Sequence, residues 1–200
     1  MSLDDRPRLR SVRIVLVVLL AIVASSHARS SERVWVTVLS TTDLHGNILP
    51  IDYYTDTPDA RGLAKIATLV REARKENPSG TLLVDSGDVI QGSPLEYVHN
   101  TRNNTPADPM MRAMDVLGFD AMTVGNHEYN FGLKVLSKAR AEATFPWLSA
   151  NTYKAGTNET FYVPYLVKEV NGVRVGILGL TTGGIETLAR CLARRGRFAR

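Results

Sequence analysis

Two hundred residues with 44% hydrophobic content and nine prolines are enough for one globular domain with a sizeable core. The formal charge of +4 divides into +2 over residues 1–28 and +5 over residues 189–200, which leaves −3 for the stretch between. That mildly acidic middle removes the high isoelectric point as an argument for a nucleic-acid polymer partner, and a single cysteine, Cys191, excludes an internal disulfide and a thiolate metal cage.

Arg6, Arg8, Arg10 and Arg13 precede the apolar run IVLVVLLAIVA, and Ser26 and Ala28 supply small residues after it. This is the pattern of an export signal; it predicts cleavage after Ala28, a mature protein in the periplasm or outside the cell, and no stable membrane anchor afterwards. The run is shorter than the roughly 20 residues of a spanning helix, so an uncleaved anchor is the weaker alternative.

From Val34 the pattern alternates strand with helix. VWVTVLSTTD is β-rich, and GLAKIATLVREARKEN puts Leu63, Ile66, Val70 and Ala73 on one helical stripe. TLLVDSGD reads as a strand running into a polar turn. DPMMRAMDVLGF places Met111, Met114 and Leu117 at helical spacing behind Pro109, a core stripe rather than a ligand set. DAMTVGNHE, GLKVLSKARAEA and FPWLSANTY read as strand, helix and strand. TDTPDARG and HNTRNNTPADP read as loops from their Pro, Asn, Asp and Thr content. YLVKEV and VRVGIL flank Asn171-Gly172, the signal of a tight antiparallel hairpin. The chain is therefore α/β with at least one antiparallel pair.

Three strand-like runs end in polar clusters: Asp43, His45 and Asn47; Asp85, Asp88 and Gln91; Asn126, His127 and Glu128. Singly each is ordinary, with Asp43 a cap, Asp88 an Asx turn and His127 a surface histidine. Together they suit a site at the carboxyl ends of strands. Asp43 and His45, two apart on an extended exit, would face the same side and meet one ion. Asp88 can bridge two ions, with Gly87 allowing a tight turn, and Asn126 can offer a carbonyl oxygen to the second. Mixed nitrogen and oxygen donors fit Mn, Zn, Fe or Mg. Two such ions would polarise a phosphoryl oxygen and acidify a water, and His127 could give a proton to the leaving oxygen.

DLH, GDVIQG and GNHE, in this order, resemble the blocks of the calcineurin-like metallophosphoesterases. STTDLHGNILPIDYYTD, VDSGDVIQGSPLEYV, VGNHEYNFGL and FPWLSANTY resemble the branch of exported 5′-nucleotidases and 2′,3′-cyclic-nucleotide phosphodiesterases. The resemblance implies Asp43 and His45 on a first metal, Asp88 bridging, Asn126 on a second and His127 as the catalytic imidazole. It implies a β-sandwich of mixed sheets flanked by helices, and a small-molecule nucleotide as substrate. It also implies further histidine blocks and a base-stacking domain, which this sequence lacks. His99 matches no block and reads as a loop residue.

Asn130 stands three after His127, where nucleotidase-type members often carry an acid. Together with IDYYTD it tilts the expectation toward cyclic and 3′-nucleotides, with 5′-nucleotides as the alternative. The expected organisation is a signal peptide at 1–28, the N-terminal portion of a metallophosphoesterase domain at 29–188 and an atypical Arg-rich tail at 189–200, out of frame from about Glu186. A truncated sandwich should leave apolar faces between Val173 and Leu180 uncovered and bind metal weakly, with little turnover.

Overall fold

The computed structural model describes residues 33–183. The expected signal segment, Cys191 and the Arg-rich tail lie outside the described residues. By its internal contacts the chain divides after Val34, and every element below belongs to the unit Trp35–Arg200.

The first strand, β1 (Thr37–Thr41), is followed by a small antiparallel ladder of β2 (Ile51–Asp52) with β3 (Thr57–Pro58), then by helix α1 (Leu63–Glu76) and β4 (Thr81–Asp85). Helices α2 (Pro94–Arg102) and α3 (Pro109–Leu117) lead to β5 (Ala121–Thr123). A 3₁₀ turn (His127–Tyr129) and α4 (Leu133–Glu142) lead to β6 (Trp147–Leu148). The hairpin β7 (Tyr165–Val170) and β8 (Val173–Leu178) closes the described chain.

The main sheet is parallel, in the order β1-β4-β5-β6. Sequential order with right-handed crossovers puts every connecting helix on one face of such a sheet. The core accordingly lies between sheet and helices: Leu83, Met122 and Trp147 meet Leu63, Val70, Met110, Met111, Met114 and Leu136. The methionine stripe is core, as its spacing predicts.

The helices begin where local chemistry allows. Asp108 Oδ1 accepts the amides of Met110 and Met111 at 2.9 and 3.0 Å, Pro109 fills the first position of α3, and Gly118 ends it at φ 68°. Ser93 and Pro94 start α2 in the same way.

Two loop readings are corrected. The first half of HNTRNNTPADP continues α2, and His99 is a buried helical residue facing Asp108, because the Ser93-Pro94 start carries the helix on to Arg102. TDTPDARG contains β3, since Asp56 adopts φ 53° and turns the chain back on β2.

The β7–β8 hairpin turns through Asn171 (φ 53°) and Gly172 (φ 77°), as the Asn-Gly pair predicts. It lies against the sheet face away from the helices: Lys168 pairs with Asp120, and a Cβ on Gly179 would stand 2.6 Å from Leu148 Cβ. Its outer face keeps Tyr165, Val167 and Leu178 exposed, with Leu180 beyond it. Within Val173 to Leu180, the stretch the sequence reading names, Val173, Leu178 and Leu180 are exposed. Among the described residues antiparallel pairing is found in this hairpin, in the β2–β3 ladder and in an isolated Tyr153–Thr160 bridge.

Candidate functional site

The exits of β1, β4 and β5 lie side by side because their strands are parallel neighbours. The ladder continues past the strand ends: Asp43 N donates to Gly87 O at 3.0 Å, His45 N to Asp88 O at 2.9 Å and Gly46 N to Val89 O at 2.9 Å. Two loops are thereby zipped together.

Asp43, His45 and Asp88 each bring one donor atom to a common point, with these atoms all within 4.8 Å of one another. The route differs from the alternation expected of an extended chain. Asp43 has φ 54°, His45 φ 47° and Asp88 φ 63°, so all three occupy the left-handed region that non-glycine residues avoid. Side chains two apart converge here because the backbone curls. Such conformations persist only where the surroundings enforce them, and they concentrate at functional sites.

The surroundings leave no slack. His45 Nδ1 donates to Gln91 O at 2.6 Å, which fixes the tautomer and leaves Nε2 as a free lone pair, 3.5 Å from Asp43 Oδ1. A Cβ on Gly92 would stand 2.8 Å from His45 Nδ1, and one on Gly125 only 2.3 Å from Asp88 Oδ1.

Asp88 is no local Asx turn: its Oδ1 accepts the amide of His127 at 2.8 Å, 39 residues away. The Asx turn belongs to Asp85, whose Oδ1 accepts from Gly87 N at 2.6 Å and Oδ2 from Thr41 Oγ1 at 2.6 Å. Burial pushes Asp85 up to about 7, against the pull of those two donors.

His127 opens the 3₁₀ turn and stands edge-on to His45, ring centroids 5.4 Å apart. Asn130 Nδ2 donates to its Nδ1 at 2.9 Å, which puts the ring proton on Nε2. Asn126 precedes the turn, half-buried, and its side chain makes no capping bond. A one-nitrogen, two-carboxylate set with a fixed histidine tautomer fits a hard or borderline divalent ion.

Glu128 is the residue whose role sequence reasoning missed. It is wholly buried; Oε2 accepts from Asp88 N at 2.9 Å and Gly125 N at 2.7 Å, and Oε1 from Val89 N at 2.6 Å and Ile90 N at 3.4 Å. Burial pushes its carboxyl up, while the amides favour the charged form. Every contact is a donor aimed at an oxygen, so the carboxylate is the form this pocket holds. The signal was the glutamate directly after His127.

A family model described as calcineurin-like phosphoesterase matches residues 36–192. The chain belongs to that family. It is 40% identical over 179 residues to the trifunctional nucleotide phosphoesterase YfkN of Bacillus subtilis, covering 80% of this chain and 12% of that protein. To the 2′,3′-cyclic-nucleotide 2′-phosphodiesterase/3′-nucleotidase of Haemophilus influenzae it is 35% identical over 145 residues, covering 71% and 22%. The crystal structure of calcineurin-like phosphoesterase YfkN from Bacillus subtilis superposes with TM-score 0.68 at 36% identity, covering 78% of this chain and 51% of that one. The chain thus spans between 12% and 22% of the length of those two curated relatives.

Proposed function

We propose that this chain carries the metal-binding part of an exported phosphoesterase acting on nucleotides, foremost 2′,3′-cyclic and 3′-nucleotides. The observation that carries this reading is the convergence of Asp43, His45 and Asp88 on three left-handed backbone positions. The named activity of the Haemophilus relative supports the substrate class.

Asp43 and His45 would hold a first ion, Asp88 would bridge and Asn126 would serve a second. Bound divalent ions of the Mn, Zn, Fe or Mg class supply charge neutralisation for the phosphoryl group and acidify water. The chain's own work is to orient and to move a proton. His127 stands beside the cluster, where its imidazolium form could give the Nε2 proton to a leaving alkoxide and return to the neutral ring, and Asn130 orients the ring through Nδ1. Gln91 O aims His45, and Glu128 holds Asp88 against the His127 turn. Residues 29–188 would form this domain portion, and residues 1–28 would direct export.

The test is hydrolysis of 2′,3′-cyclic AMP, 3′-AMP and 5′-AMP by the Mn-loaded chain. Cyclic and 3′ substrates should lead, and a preference for 5′-AMP overturns the choice.

A second reading, a chain with little turnover, rests on the ligand count. On this reading the first ion would take three protein ligands, Asp43, His45 and Asp88, and the second two, Asp88 and Asn126, where a catalytic metal takes about three. Calorimetric titration with Mn²⁺ separates the two readings: two tight sites per chain exclude the second.

A further inference from the structure

We propose that Thr181, just past the end of β8, is a positioning residue for Asn126 and His127, acting through the peptide unit that joins Val124 to Gly125. This rests on the reading of Asn126 as a metal ligand and His127 as the proton donor. Thr181 is buried, and its Oγ1 donates to Val124 O at 2.8 Å, 57 residues away. Glu128 Oε2 accepts the amide of Gly125 at 2.7 Å. The Val124 carbonyl and the Gly125 amide belong to one planar unit, so that plane is held on both edges. Asn126 and His127 are the next two residues, and the His127 amide goes to Asp88 Oδ1 at 2.8 Å.

Thr181 does not act alone. A carbonyl can only accept, so Thr181 spends its single hydroxyl proton on Val124. Ser149 Oγ, wholly buried and 2.7 Å from Thr181 Oγ1, must then donate to Thr181; its other acceptor, Asn151 Oδ1, is farther at 3.2 Å. Thr152 Oγ1, 2.7 Å from Ser149 Oγ, donates to Ser149 in turn. Three hydroxyls thus run in one direction toward one carbonyl, and such chains strengthen cooperatively. Asn151 fixes the backbone of Thr181: Nδ2 donates to Thr181 O at 2.7 Å and Oδ1 accepts from Thr181 N at 2.9 Å.

The hairpin is docked without this hydroxyl. Ala150 N donates to Gly179 O at 2.8 Å, and Lys168 pairs with Asp120. A buried hydroxyl costs free energy unless it is bonded, and valine would fill the same space without that cost. What threonine adds is a fixed direction for the Val124 carbonyl.

The test is amide hydrogen exchange by NMR on the metal-free full chain, comparing wild type, Thr181→Val, Thr181→Ser, Ser149→Ala and Lys168→Ala. The readout is exchange at Gly125 and His127 relative to Met122, whose amide donates to Pro146 O within the same sheet. A merely structural role would speed all three amides alike. Thr181→Val should speed Gly125 and His127 roughly tenfold over Met122, the scale of one lost hydrogen bond. Ser149→Ala should act in the same direction, while Thr181→Ser and Lys168→Ala should match wild type. Should Thr181→Val fail to fold, Ser149→Ala decides alone. Unchanged relative exchange in these two variants, or an equal effect of Lys168→Ala, overturns the assignment. Calorimetric titration with Mn²⁺ is read separately: if wild type binds no Mn²⁺, the metal reading falls and the exchange result still decides the role of Thr181.

Discussion

The carboxylate of Glu128 holds Asp88 by its backbone, Oε2 accepting the Asp88 amide at 2.9 Å while Oε1 takes the amides of Val89 and Ile90. Asp88 in turn holds the amide of His127, so the proposed bridging ligand and the proposed proton donor are registered through one buried anion. Glu128→Gln keeps the shape but sets an NH₂ group against amide donors. Leaving buried donors unpaired costs about 1–3 kcal/mol each. The variant should lose about 2–4 kcal/mol by urea unfolding and bind Mn²⁺ at least about tenfold more weakly. Unchanged Mn²⁺ affinity would remove Glu128 from the positioning of Asp88.

Gly125→Ala separates space from backbone freedom. Gly125 carries no positive φ, so alanine is conformationally allowed, but its Cβ would stand 2.3 Å from Asp88 Oδ1 and 2.6 Å from Asp88 N. Neither atom can yield without moving the Asp88 carboxylate. The variant should remain folded with a loss of about 1–3 kcal/mol, and calorimetry should record Mn²⁺ affinity falling with it. Full Mn²⁺ affinity in a folded Gly125→Ala chain contradicts the cradle.

Much of this was legible in the sequence because it follows local rules. The Leu63, Ile66, Val70 stripe, the Pro109 start and the Asn171-Gly172 turn each depend on residues within a few positions of one another. The candidate site was legible as a set, since Asp43, His45, Asp88 and His127 follow consecutive strands of one parallel sheet. Two things were not. The left-handed backbone at Asp43, His45 and Asp88 is imposed by pairing between loops more than 40 residues apart, and no local preference announces it. Nothing within a few residues of Glu128 or Asp85 announces their burial, and the Asn- and Thr-rich run behind His99 hides the end of α2.

Asn130 offers a test of substrate preference. Its amide contacts His127 Nδ1 at 2.9 Å, and its buried Oδ1 has no partner. Asn130→Asp places a carboxylate against the same nitrogen, which favours a proton there and a charged ring. If Asn130 sets the preference, the ratio of 5′-AMP to 3′-AMP hydrolysis should rise several-fold in the variant. An unchanged ratio, with both rates measured on the Mn-loaded protein, assigns the preference elsewhere.

The last prediction concerns pH and lies away from the cluster. Glu96, on α2, and Asp108, the cap of α3, are buried acids; neither Glu96 Oε1 nor Asp108 Oδ2 accepts a hydrogen bond, and His99 Nε2 stands 4.0 Å from Asp108 Oδ2. Burial, with Asp108 beside it, pushes Glu96 up to about 8 from its usual 4.5. Between those values the folded chain keeps a proton that the unfolded chain has released. Stability from this group is therefore full below about pH 4.5 and falls as pH rises toward 8, with a slope of at most about 1.4 kcal/mol per unit. Asp85 contributes in the same direction, but only up to about pH 7. Glu96→Gln should therefore unfold at higher urea concentration than wild type at pH 8 and show the shallower decline between pH 7 and 8, with chelator present so that metal binding does not enter. An identical decline in both proteins would mean that Glu96 is ionised in the folded chain, and the two orphaned oxygens would then need another explanation.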